Sequence, residues 1–160
     1  MTPFQALLLL AAFLCSLVAG LLFTFAIVVM PGIAKLNDRD FVRAFQAIDG
    51  VIQNNQPLFL FVWAGSAVSL ILVFVLDGSY GVLLFAAANL YVFGVQLPTI
   101  VVNLPLNKRL QKLEPSKMND AELSGARSEF EPRWNRWNRI RTLCACLTSI
   151  LLLVLLRLGL

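Results

Sequence analysis

The run Trp134-Asn135-Arg136-Trp137-Asn138-Arg139-Ile140-Arg141 gathers indole, amide and guanidinium groups just before an apolar stretch, Thr142 to Leu156. On a helix, Trp134, Trp137, Asn138 and Arg141 fall at i, i+3, i+4 and i+7 and so share one face. A guanidinium beside amides can hold an anionic oxygen, and indole rings can wall an aromatic ligand. Arginine is costly near lipid unless it is paired or reaches the interface, a boundary that tryptophan favours. The run is therefore either an interfacial anchor or one wall of a site.

Two further groups of polar residues sit in otherwise apolar surroundings. Gln46, Asp49 and Gln53 recur at i, i+3 and i+7. Asn89, Gln96 and Asn103 are spaced by seven, and Asn107 follows four later. Heptad spacing drifts by only about 20° per repeat, so these amides are expected to form one stripe. Amides in a bilayer need partners, which turns that stripe toward other helices. It serves as interhelical glue or as the lining of a polar pocket.

The chain contains no histidine, which removes the commonest metal ligand and general base at once. Cys15, Cys144 and Cys146 all fall in apolar stretches, and the Cys144-x-Cys146 spacing suits neither zinc nor thioredoxin chemistry. No metal site and no cofactor is expected.

The elements that must position these groups follow from composition. The chain has 160 residues, 59% hydrophobic and only 14% charged. Four long segments carry no charge: Phe4 to Ala34, Gln56 to Leu76, Gly78 to Asn107 and Thr142 to Leu156. A helix of about 20 apolar residues spans a bilayer, and the fourth segment reaches that length if its helix starts in the Trp/Arg run. The expected fold is all-α: a single-domain integral membrane bundle of four transmembrane helices (about 4–31, 57–76, 80–103 and 137–157), with an added interfacial amphipathic helix over 38–53. The first segment lacks a basic flank and is too long for a cleaved signal, so it reads as a mature helix.

Finer signals fill in the rest. Ala12, Ser16, Gly20 and Thr24 form a small-residue stripe for helix packing, and Met30-Pro31-Gly32 bends or ends the first helix. Asn37 or Asp38 caps the amphipathic helix, whose apolar positions are Phe41, Phe45, Ile48 and Ile52. Asn54-Asn55-Gln56-Pro57 breaks the chain before the second span, and Asp77-Gly78-Ser79 makes a tight turn. Pro98 is expected to kink the third span near Gln96, and Asn103-Leu-Pro-Leu-Asn107 to close it. The long loop, 104–136, should hold a short helix opened by a capping box, Asn119-Asp-Ala-Glu122, and stopped or redirected by Pro132.

Of thirteen Lys and Arg, three lie between the first and second spans, and nine from Lys108 to Arg141. The positive-inside rule puts both large loops in the cytoplasm and both termini outside, in the cell (inner) membrane. Five acidic residues interleave with the second group, so no nucleic-acid patch survives and membrane lipids are the expected partners.

Phe25 to Leu36 (FAIVVMPGIAKL), Phe41 to Ile52 (FVRAFQAIDGVI), Asn103-Leu-Pro-Leu-Asn107 and Trp134 to Thr142 (WNRWNRIRT) together resemble the anthrone oxygenase-like family of small membrane proteins. The resemblance covers nearly the whole chain in order. It departs at Gln46-Ala-Ile-Asp49, where the family pattern ends in Asn, and at Asn54-Asn-Gln-Pro57, where Asn-Pro is usually direct. Fungal members oxidise anthrones to anthraquinones, and many bacterial members have no assigned reaction. The resemblance implies cofactor-independent oxygenation of a hydrophobic phenolic or polycyclic substrate. Asp49 would then be the base, on condition that burial raises its pKa, and Arg141 would hold the oxyanion with Asn138 and Asn103. Trp134 and Trp137 would stack on the substrate ring, with Gln46, Gln53, Gln96 and Asn107 completing a substrate pocket. The alternative is a pocket of the same residues that binds or transports a lipid, quinone or other amphiphile without chemistry, or an accessory subunit. Transport through so small a bundle would require a homo-oligomer.

Overall fold

The computed structural model describes residues 2–54, 56–77 and 81–159. Asn55 of the expected chain breaker, and Gly78 and Ser79 of the expected tight turn, lie outside the described residues. Five helices are described: α1 (Pro3–Ile33), α2 (Asp38–Gln53), α3 (Pro57–Asp77), α4 (Val82–Gln111) and α5 (Asp120–Leu158). All but α2 are long and apolar enough to cross a membrane, so the chain is a multi-pass membrane protein. Among the described residues there is no strand.

The start signals act as their chemistry dictates. Asn37 accepts from the Asp40 backbone N–H at 2.9 Å and caps α2. Asn119 and Glu122 form both halves of a capping box at the head of α5, at 2.9 and 2.8 Å. An N-terminal box of the same kind, Thr2 with Gln5, opens α1.

Three wide π turns interrupt the long helices, at Phe25–Val29, Val92–Gln96 and Thr99–Asn103. Each ends two residues before a proline: Pro31, Pro98 and Pro105. Proline has no N–H, and its ring crowds the carbonyl one turn back. In each case the residue before the proline donates across the wider loop instead, as Leu97 does to Val92 and Leu104 to Thr99. The prolines therefore loosen α1 and α4 without ending them, and α4 runs past the Asn103–Asn107 element to Gln111.

Pro132 likewise does not stop the chain. The expected short loop helix and the last span are one helix of 39 residues. The carbonyl that Pro132 leaves unpaired is that of Ser128, and both residues lie on the exposed side of α5. Water can satisfy that carbonyl, while Phe130 and Trp134, both buried, hold the helix on its other side.

Helix α1 is central, packed on α3 and α5, while the first half of α4 packs on α5 and touches α3. The small-residue stripe of α1 is not its packed face. Ala12 is buried, but Gly20 and Thr24 are exposed, and the Ser16 and Thr24 hydroxyls donate back to their own helix. Residues four apart drift around a helix, so a strict fourfold stripe spirals off the contact; Ala11, Cys15, Val18 and Ala19 make it instead. Gly94 lets α4 approach α5: a Cβ there would lie 2.5 Å from the Cys144 Sγ. Ser66 of α3 and Tyr91 of α4 share a hydrogen bond of 2.5 Å.

A second buried cluster lies at the loop end of the bundle. Phe41, Val42 and Phe45 of α2 pack there on Met30, Leu106, Leu110, Phe130 and Trp134. Ile48, expected on that apolar face, is 36% exposed, and Val42 takes its place. Arg127 of α5 ties this end together. It donates to the carbonyls of Ala34 and Leu36, to Asp38 at 3.0 Å and to Glu131 at 2.7 Å, and its Cζ lies 4.4 Å from the Phe41 ring centroid. Burial opposes its charge, but Glu131 and Asp38 outweigh that and hold its pKa above the usual guanidinium value.

Candidate functional site

Between the two clusters, all five helices border a cavity of about 440 Å³. Leu21, Leu22 and Phe25 of α1 and Phe45, Asp49, Ile52 and Gln53 of α2 form part of its wall. Phe59, Leu60 and Trp63 of α3 face Thr99, Ile100, Asn103, Leu104, Asn107 and Lys108 of α4, and α5 adds Trp134, Asn138 and Arg141. The wall is mostly apolar with a few convergent polar groups, the usual make-up of a small-molecule site.

Asp49 is buried, at 3% exposure, and three side-chain amides donate to it. Asn107 Nδ2 lies 2.6 Å from one carboxylate oxygen, Gln111 Nε2 lies 2.9 Å from the other, and Gln53 Nε2 also donates to that second oxygen. The orientation of Asn107 follows from donor chemistry. Trp134 Nε1–H, a donor only, points at Asn107 Oδ1 at 2.7 Å, which turns the amide nitrogen toward Asp49.

Arg141 is buried too, at 5% exposure, and its partners are neutral. Its Nη1 donates to Thr99 Oγ1 and its Nη2 to Asn138 Oδ1, each at 2.9 Å. Its Nε has no hydrogen-bond partner among the described residues, and no described carboxylate forms an ion pair with it. Asn138 is anchored in turn by donating to the Leu22 carbonyl at 3.2 Å. Asn103 is buried, donates to the Trp134 carbonyl at 3.4 Å and keeps its Oδ1 unpartnered.

Trp134 links the two ends of the cavity. Its ring lies 5.8 Å from Phe25 and 5.6 Å edge-on from Phe45, and the Arg141 Cζ sits 5.9 Å from its centroid. Across the cavity Phe59 and Trp63 stack at 5.8 Å.

Seven of the ten residues singled out from the sequence line this cavity: Asp49, Gln53, Asn103, Asn107, Trp134, Asn138 and Arg141. Three do not. Gln46 donates to the carbonyls of Leu110 and Leu113, fastening α2 to the end of α4. Gln96 lies off the cavity, its Nε2 buried without a partner among the described residues. Trp137 is half-buried against the loop-end cluster, because it falls at the edge of the stripe that Trp134, Asn138 and Arg141 share. Asn89, the far member of the amide stripe, donates to its own helix at Phe85.

Thr99 and Gln111 are partners of the two charged groups that the heptad spacing passes over. The effective repeat is fourfold: Thr99, Asn103, Asn107 and Gln111. The π turn at Thr99–Asn103 counters the drift that such spacing shows on a regular helix. Among the described residues no three His, Cys, Asp or Glu side chains converge. The chemistry on offer at the cavity is that of a carboxylate, a guanidinium, amides and aromatic rings.

Family comparison bears on this arrangement. The sequence profile of the anthrone oxygenase family matches residues 45–151, most of the chain and every polar residue just described, and the chain belongs to that family. Comparison with curated proteins and with solved structures finds no match.

Proposed function

We propose that the protein is a cofactor-independent oxygenase acting on a hydrophobic phenolic polycycle such as an anthrone, with the cavity as its active site. One observation carries the reading. A buried carboxylate and a buried guanidinium border the same apolar cavity, each held by neutral partners and not by the other. Such groups are expensive inside a membrane and commonly mark a functional site there.

Asp49 receives a proton from the acidic C–H of the substrate, leaving a delocalised phenolate anion. Arg141 and Asn103 face the oxygen on which that charge rests, and Asn138 orients Arg141. The anion passes one electron to dioxygen, the radical pair joins as a C–O bond, and the returning proton makes a hydroperoxide. Loss of water leaves a ketone, so CH2 and O2 become C=O and H2O. Trp134 and the Phe59–Trp63 pair enclose the rings. The excess of Lys and Arg at the loop end supports an orientation with that end, and so the Asp49 corner, in the cytoplasm.

Oxygen uptake by the purified protein with emodin anthrone tests the reading. Asp49→Asn should lower the rate about 100-fold or more, as loss of a general base does, while the exposed Arg133→Ala retains it. Equal uptake in wild type and Asp49→Asn, at the non-enzymatic background, rejects the oxygenase for that substrate and favours a binding role.

A further inference from the structure

We infer that the cavity is loaded sideways from the bilayer, through the gap between α3 and α4, and that it selects an amphiphile with an anionic head. The inference rests on the proposed function only in taking the cavity as a ligand site.

The gap follows from how the helices part. Helix α3 packs on α1 and, within α4, on Val82–Tyr91, whereas residues 92–111 of α4 turn to α5 and α2. We place the opening at Leu60 and Ile100, which both line the cavity and are 45% and 59% exposed. Their exposed neighbours, Phe61, Leu97 and Val101, are apolar as well. In a spanning segment such a surface meets acyl chains, and an opening there admits a lipid-dissolved molecule without passage through water.

Charge decides the head group. Asp49 already accepts three amide donors, so much of its charge is met within the protein. Arg141 keeps a buried Nε without partner and has no described carboxylate, so it asks for an anion. Lys108, exposed at the loop end of the same cavity, adds a second positive group to its wall. An anionic amphiphile seated with its head at Arg141 and its body against Leu60 and Ile100 meets every one of these demands.

The test uses the full-length protein in phosphatidylcholine vesicles. Trp63→Phe with Trp137→Phe leaves Trp134 as the sole indole, and 9,10-dibromostearate and its methyl ester serve as quenching probes. The acid should quench Trp134 saturably and at least about tenfold more tightly than the neutral ester, a difference of about 1.4 kcal/mol. Arg141→Gln should erase that preference. Leu60→Phe with Ile100→Phe, at positions exposed enough to accept a larger ring, should slow the onset of quenching at least fivefold. Equal quenching by acid and ester in wild-type surroundings overturns the anionic selection, whether or not the Arg141 variant folds. Saturable quenching whose onset ignores the narrowed gap overturns the lateral route. Neither result depends on oxygen uptake, so the failure of one reading is seen apart from the failure of the other.

Discussion

Two arginines of α5, fourteen residues apart and both sheltered from solvent, are treated in opposite ways. Arg127 is saturated: two carboxylates, two carbonyls and the face of Phe41 meet its donors. Arg141 receives one hydroxyl and one amide oxygen, and its Nε receives nothing among the described residues. A fold under pressure only to be stable would give the deeper cation the better partners, since charge costs more there. Here the better-paired arginine holds the loop end together, and the deeper one is left with spare capacity beside a cavity. The contrast separates a group that builds the molecule from one kept available to a ligand.

That contrast breaks if the two arginines respond alike to substitution. Arg141→Met should give the largest effect, lowering oxygen uptake with emodin anthrone by about 100- to 1,000-fold, as loss of an oxyanion partner does. The same variant should melt no lower than wild type, because it removes a buried charge that lacks an opposite one. Arg127→Ala should do the reverse. It breaks two half-buried ion pairs and two bonds to carbonyls and should cost about 2 kcal/mol of stability, read as a lower melting temperature in detergent, with uptake per folded molecule retained. If Arg127→Ala lost activity at unchanged stability, the division of labour would be wrong.

Smaller effects sharpen the picture. Gly94→Ala places a Cβ against Cys144 Sγ at 2.5 Å, and overpacking of this kind should cost about 2 kcal/mol. Pairing it with Cys144→Ala should return only part of the loss, because the Cβ that alanine keeps would still lie 2.7 Å away; a thermal melt of the double variant checks this. Trp134→Phe keeps an aromatic ring, though a smaller one, and removes the donor that orients Asn107. It should cost about 1 kcal/mol of stability, and a slower uptake with unchanged ring packing would mark Asn107 as a positioning residue for Asp49.

Much of this arrangement is legible in the chain itself, and the misses share causes. The four spans follow from charge-free length, and the Asn119–Glu122 box from its spacing, because both are local. Asp49, Asn107 and Arg141 stand out because a polar group in an apolar run must be satisfied by something. Heptad spacing groups Gln96 and Asn89 with Asn103, but it assumes a regular helix. The π turns at Val92–Gln96 and Thr99–Asn103 each take up an extra residue and turn the two ends of that stripe to different neighbours. Continuity of α5 through Pro132 depends on which side of the helix faces water, and that is settled by the packing of Phe130 and Trp134. Arg127 does not stand out in the sequence for a similar reason: its partners at Ala34, Leu36 and Asp38 lie about ninety residues away in the chain.

The unbroken course of α5 has a mechanical consequence. At 1.5 Å per residue, a helix of 39 residues is a rod of about 58 Å, roughly twice the hydrocarbon thickness of a bilayer. It is longer than a single crossing needs, and Arg127 fastens its N-terminal part to the loop end of the bundle. Arg141 lies about 21 Å further along the same helix, with Pro132 between the two. One continuous helix therefore carries both arginines, so the distance from the loop-end anchor to the cavity wall is set by helix geometry and not by the packing of a connecting loop.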